Sequence, residues 1–403
     1  MGTIFNIVGC ECNKESNNNN NKLKIYNSVK PVRVSDYSST EMICSMIIPR
    51  EIYIDQPKKS FSSTDLVKKN YDNKKKIFEK YTKICILGKN NYNMVYKVNN
   101  KLSNKLQAMK KILKAKVENF DDTKNIIKFI NILSSLKQKN LAKLYEFYED
   151  EKYFYIINEL CEDTLLDKIL DENNTLCEFI VKFIMYRIFL ALKYLHKNQI
   201  IHGDIKITNI GFTYKEKYKV KNEIKVPIID LISEASNDED LQKELLNSND
   251  YDGLSNKAKN YIKNLSKYDI KLLDCMSQEI FIKNIIDYEN SDILLNINYY
   301  SPELFNGIIM KQRDEWACGI LMFKLLKGIY PFEGDNKDEL VNDIINEDIN
   351  KEINKLKVSN NCKDLIKRLL DKKPENRIKV EECLKLDYFK TGVKFKIQKT
   401  LKK

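Results

Sequence analysis

Apolar and polar positions divide the chain into segments of different period. Ile84-Cys85-Ile86-Leu87-Gly88 and Met94-Val95-Tyr96-Lys97-Val98 alternate like two strands joined by a tight turn. Gln107-Ala108-Met109-Lys110-Lys111-Ile112 reads as a further strand, and Phe154-Tyr155-Ile156-Ile157 has the continuous apolar character of a buried one. Ala191-Leu192-Lys193-Tyr194-Leu195-His196 lies on an amphipathic helix that runs into a loop, Ile200 to Asn209. Ile270-Lys271-Leu272-Leu273 leads into Asp274, and Asp314 to Met322 reads as a core helix.

Two stretches lack this order. From Asn13 to about Lys75 come the Asn17 to Asn21 run, Ser-rich patches and Lys clusters, the composition of a flexible leader. Thr213 to about Lys267 is a charged stretch that reads as helical or mobile. No run of about 18 apolar residues occurs, which argues against a spanning helix.

The 403 residues, 43% hydrophobic and 31% charged, suit a soluble globular protein of one large or two modest domains. Lys and Arg outnumber Asp and Glu by 69 to 57, a formal charge of +12. The lysines are scattered among Asn and Ile rather than gathered into aromatic-interleaved stripes, so no nucleic-acid partner is implied. Ten cysteines without CxxC pairs, and only His196 and His202, give no zinc or disulfide framework and suit a reducing, cytoplasmic setting.

Met1-Gly2-Thr3-Ile4-Phe5-Asn6 resembles an N-myristoylation signal with Gly2 as acceptor, although Asn6 stands where Ser or Thr is usual. One myristoyl chain binds membrane with an association constant of only about 10⁴ M⁻¹. Palmitoylation of Cys10 and Cys12 would supply the second signal for peripheral membrane association. An unmodified tail fits the same residues.

The loop after the amphipathic helix carries the most specific pattern. His202-Gly203-Asp204-Ile205-Lys206-Ile207-Thr208-Asn209 resembles the HRDxKxxN catalytic loop of protein kinases almost position by position. The rest follows in the family's order. Gly88 to Val95 resembles the GxGxxGxV hairpin, with Asn90 and Asn93 in place of two glycines. Ala108-Met109-Lys110 resembles the VAIK strand, and Asn158-Glu159-Leu160-Cys161 resembles the gatekeeper and hinge. Tyr299-Tyr300-Ser301-Pro302-Glu303 resembles the APE block, Asp314-Glu315-Trp316-Ala317-Cys318-Gly319 the F helix, and Lys373-Pro374-Glu375-Asn376-Arg377 the site of the APE glutamate's partner.

The resemblance implies an α+β bilobal fold, with a small β-rich lobe over residues 81–160 and a larger, mainly helical lobe over 161–390. A leader over 1–80 and a basic tail over 391–403 would flank it. ATP and magnesium are the implied cofactors. Asp204 would accept or orient the substrate hydroxyl proton and Lys206 would steady the transferred group. Gly88, Val95, Ala108, Lys110 and the hinge backbone at Glu159 and Cys161 would hold ATP; Asn209 and Asp274 would hold the metal. For that metal ligand Asp230, in Val226-Pro227-Ile228-Ile229-Asp230, is the rival, disfavoured by its interior Pro. A Glu303 to Arg377 ion pair and Asp314, bonded to the catalytic-loop backbone, would be structural.

The Lys two residues after Asp204 resembles the serine/threonine-specific form, and the wording around Asn140 to Cys161 resembles the calcium/calmodulin-dependent group. Several positions depart from the pattern. Phe129 falls where the C helix should offer a Glu to Lys110, and Glu118 is too near to replace it. Losing one charge-assisted hydrogen bond costs about 1.5–3 kcal/mol, or about 10 to 150-fold in rate. Gly203 replaces the arginine that pairs an activation-segment phosphate, Cys275-Met276 replaces Phe-Gly, and Asn296 stands where a Thr is expected. Thr164 stands near where relatives that prefer Arg-containing substrates carry an acid. Ser248 to Gly253 imitates an EF-hand start, but Lys259 occupies the bidentate Glu position. Two readings follow: a slow serine/threonine kinase acting on a protein hydroxyl, or a pseudokinase that holds nucleotide or recruits partners.

Overall fold

Strand pairing follows the alternation only in part. The computed structural model describes residues 74–89, 93–114, 130–161, 175–215, 226–248, 251–275 and 297–390, all within the unit Met46–Lys403. β1 (Tyr81–Lys89), β2 (Asn93–Asn100), β3 (Lys105–Leu113), β4 (Leu144–Glu149) and β5 (Tyr153–Asn158) form one antiparallel sheet in the order β1-β2-β3-β5-β4. The interior strand β5 is buried along Phe154 to Ile157, as its unbroken apolar run predicts. On β1 the outcome differs: Ile84, Ile86 and Leu87 are exposed. β1 is an edge strand with register shifts after Lys83 and after Ile86, so its alternation does not map onto one buried face.

Helix α1 (Lys74–Lys80) precedes the sheet and belongs to its packing. Ile77 is buried with Tyr81, Val98, Met109, Tyr148, Tyr155 and Ile157 in a small separate cluster. Residues 74–80, read from the sequence as the end of a leader, are therefore partly a piece of the small lobe.

The larger lobe is built on α2 (Glu178–Lys197), whose first two turns, Glu178 to Met185, are buried all round, while Lys193 and Lys197 near its end are exposed. A helical segment buried on every face is stable only when surrounded. Its neighbours include α6 (Gln312–Lys327), which in turn packs against α9 (Asn360–Leu369), a helix N-capped by Ser359. Between them come α7 (Lys337–Asn346) and α8 (Asn350–Lys355). α6 ends at Gly328, whose φ of 83° is the left-handed conformation that ends many helices.

β6 (Ile210–Tyr214) and β7 (Tyr268–Leu272) form a two-stranded antiparallel sheet. The charged stretch leaves at the turn of this hairpin. Thr213 and Tyr214, assigned to the stretch from sequence, pair with Asp269 and Tyr268. α3 (Ile228–Asn237), α4 (Glu239–Asn247) and α5 (Asn256–Leu265) occupy most of it. Leu231, Ile232, Ala235, Leu241, Leu245, Ala258 and Tyr261 enter the main core, so these helices are held by apolar burial while their charges face water. Asp230 is exposed on α3. Pro227 is the N-cap of a helix, not the interior of a strand.

Candidate active site

Four strands align one row of the site. Gly88 pairs with Val95, Val95 with Lys110, and Lys110 with Ile156. Ala108 lies opposite Asn158 at the end of β5. Beyond it, Glu159 donates its N–H to Lys143 O at 2.8 Å, and its carboxylate meets Lys271 Nζ of β7 at 3.0 Å. Cys161 is buried against Gly211 of β6, where an added Cβ would lie 2.5 Å from its Sγ. Gly211 thus lets the chain after β5 approach β6 closely.

The loop Ile200 to Asn209 is tied down from several sides. Asn209 Nδ2 donates to Asp204 O at 2.8 Å and to Asp204 Oδ2 at 2.7 Å. Lys206 Nζ lies 3.0 Å from Asp204 Oδ1. His202, fully buried, accepts from Asp204 N through Nδ1 at 3.2 Å and meets Leu273 O through Nε2 at 2.9 Å. Those two bonds require a proton on Nε2 and none on Nδ1, the neutral ring, and burial pulls its pKa down. Leu273 N in turn donates to Asn209 O at 2.8 Å. The loop and the residue before Asp274 are thereby locked together.

Asp274 closes the site. Its Oδ2 accepts from Lys110 Nζ at 2.8 Å, joining the five-stranded sheet to the chain after β7. Burial would push its carboxyl up, but Lys110, with Lys206 farther off, outweighs burial and holds it below the usual carboxylate range. Its φ is 55°, a conformation uncommon outside glycine that neighbouring structure must hold in place.

Beneath the loop, Asp314 Oδ2 accepts from His202 N and meets His196 Nε2, each at 2.8 Å, while Oδ1 accepts from Gly203 N at 2.9 Å. Glu303 and Arg377 form a buried bidentate pair at 2.7 and 3.0 Å.

A family model described as protein kinase domain matches residues 81–249 and 256–389, more than half of the chain. The chain belongs to the protein kinase family. Among relatives of this kinase domain, calcium-dependent protein kinase 5 of Plasmodium falciparum (isolate 3D7) is 29% identical over 325 residues, 79% of this chain and 47% of the relative. Calcium-dependent protein kinase 3 of Plasmodium yoelii yoelii is 30% identical over 309 residues, 75% and 47%. The chain spans about half the length of the curated relatives it matches. A crystal structure of Rad53 1-466 in complex with AMP-PNP shares the fold at a TM-score of 0.53 and 20% identity, covering 77% of this chain and 66% of that one.

Within the kinase domain the structure brings Gly88, Val95 and Lys110 into one row, and Asp204, Lys206, Asn209 and Asp274 onto two joined loops. It sets Asp230 elsewhere. Gly2, Cys10, Cys12, Asn90, Glu118, Phe129, Thr164, Met276 and Asn296 lie outside the described residues. Sequence reasoning passed over Gly211, the Glu159–Lys271 pair, His202 as the bridge to Leu273, and Arg313. A glycine inside a strand, and a charged residue next to Asp314 at the start of an apolar helix, were the available signals.

His196 offers a test of this framework. Burial pulls its pKa down, but Asp314 and Glu315 outweigh that and raise it to about 10. An unfolded histidine titrates near 6.5, so its stabilising contribution is complete below about pH 6.5. It is lost as pH rises through about 10. Melting temperatures of the wild type and His196→Gln, compared between about pH 7 and 10, are expected to fall more steeply for the wild type. Parallel curves would refute the charged state.

Proposed function

We propose that this domain is an ATP-dependent serine/threonine protein kinase, passing the γ-phosphoryl group to a protein hydroxyl at a slow rate. The observation that carries it is the 2.8 Å contact of Lys110 with Asp274, which brings the phosphate-binding lysine of the sheet to the loops that hold Asp204, Lys206 and Asn209. The solved neighbour is described with AMP-PNP, which supports an adenine nucleotide as ligand. The backbone at Glu159 and Cys161 would bond its base, with Gly88, Val95 and Ala108 above it.

Lys110 would pair with the inner phosphates, Asp204 would take or orient the hydroxyl proton, and Lys206 would place positive charge beside the transferred group. Both amide hydrogens of Asn209 are spent on Asp204, so its carboxamide oxygen is the atom left to ligate. With the Asp274 carboxylate it makes a hard oxygen set of the kind magnesium takes. Magnesium, when bound, neutralises charge on the phosphates. The slow rate is inferred from the sequence alone, in which Phe129 stands where the family pattern has the glutamate partner of Lys110. The serine/threonine preference follows from Lys206.

The test is transfer from labelled ATP by the purified protein beside an Asp204→Ala control. Incorporation above background in the wild type and loss of it in the variant is expected; equal incorporation in both would remove the enzyme reading. One observation favours a nucleotide-holding scaffold instead, namely that Gly203 and Cys275 stand where the family pattern has arginine and phenylalanine. Under that reading the wild type binds nucleotide without transferring phosphate. Membrane attachment through Gly2, with Cys10 and Cys12, is proposed on sequence alone. Mass spectrometry of the mature amino terminus decides it, and an unmodified Gly2 in cells would retire it.

A further inference from the structure

Gly203 stands immediately before Asp204 at a φ of 77°. Glycine takes that conformation without strain but also loses more freedom on folding than any other residue, and it has no side chain with which to fix its own peptide. The chain around it must therefore be held from outside. Its N–H is held by Asp314 Oδ1 at 2.9 Å, and its carbonyl accepts from Arg313 Nη2 at 3.0 Å. Arg313 and Asp314 are consecutive on the first turn of α6 and both are buried, 5% and 1% exposed. Two adjacent side chains of opposite charge thus grip the two polar groups of one glycine, in a small pocket lined also by Asp204, Lys206, Tyr299 and Tyr300.

We infer that Arg313 is the positioning residue for Asp204. Its guanidinium, fixed on α6, does from outside the loop what glycine at position 203 has no side chain to do. The catalytic loop is therefore ordered by a contact within the fold, without help from a phosphate on the activation segment. The planar, permanently charged guanidinium suits this task, because a charge-assisted bond to a buried carbonyl is stronger than a neutral one.

The inference rests on the kinase reading only for its kinetic consequence, so two readouts are used. The first is amide hydrogen exchange of the peptide spanning residues 200–206. In Arg313→Met it is expected to speed up by about 10-fold or more, the loss of one charge-assisted bond. Exchange within α6 from Trp316 to Phe323 should stay as in the wild type. Arg313→Lys, which keeps a charged donor, should bring loop exchange back to within about threefold of the wild type. The second readout is phosphate transfer, where Arg313→Met should lower kcat about 10-fold or more and leave KM for ATP within about twofold.

Unchanged loop exchange in a folded Arg313→Met protein overturns the inference whatever the activity. If that variant does not fold, Arg313→Gln, neutral and of similar bulk, takes its place with the same expected rise and the same overturning result. A wild type that transfers nothing removes the kinase reading and leaves exchange to decide the role of Arg313. Activity of the wild type that vanishes on phosphatase treatment also overturns the inference.

Discussion

Lys110→Met is expected to cut phosphate transfer by about 100-fold or more, the usual scale for removing one preorganised charge from a transition state. The lysine is buried on β3 and reaches Asp274 at 2.8 Å, so methionine keeps most of the packing and deletes only the charge. A second effect follows from Asp274, whose carboxyl is held below its ordinary range chiefly by Lys110 working against burial. A depressed carboxylate stabilises the fold above its unfolded pKa of about 3.9 and loses that contribution as pH falls through the lower folded value. The stability gap between wild type and variant should therefore be widest above about pH 4 and close in stronger acid. Steady-state transfer assays and urea melts across pH measure both, and an undiminished rate would show that Lys110 is wrongly assigned.

Arg377→Met is expected to destabilise the larger lobe by about 3–5 kcal/mol, the cost of leaving one half of a buried ion pair alone. Arg377 and Glu303 are 2% and 5% exposed and share two hydrogen bonds. The same guanidinium donates to the carbonyls of Asp371 and Gln312 and lies 5.1 Å from the Trp316 ring centroid. Removing it strands Glu303 directly after Pro302, at the end of the segment Tyr299–Glu303, where water has little access. Glu303→Gln added to Arg377→Met should cost little more, because the charge that suffers is then gone. Urea unfolding of the single and double variants decides this; a loss below about 1 kcal/mol would mean the pair is no more than a surface contact in effect.

Sequence alone determined the order of the parts and the chemistry available to them. Asp204 and Asn209 sit five residues apart on one loop, so their sharing of one site was legible in the spacing, whereas the 2.7 Å bond between them came from the fold. The interior strand β5 and the helix α6 were legible for a different reason, since a continuous apolar run has no solvent-facing alternative. Other features depended on residues far apart in the chain. Lys110 meets Asp274 across 164 positions and Arg313 meets Gly203 across 110, and no local periodicity encodes such distances. The exposure of Ile84 and Ile86 was likewise decided by the edge position of β1, which leaves one flank of the strand without a partner. The charged stretch could be read as helical from sequence, but only packing of its helices on one another and on α2 placed Leu231, Leu241 and Tyr261 in the core. Local pattern reports which side chains need burial or a partner, whereas the folded chain decides which partner each one finds.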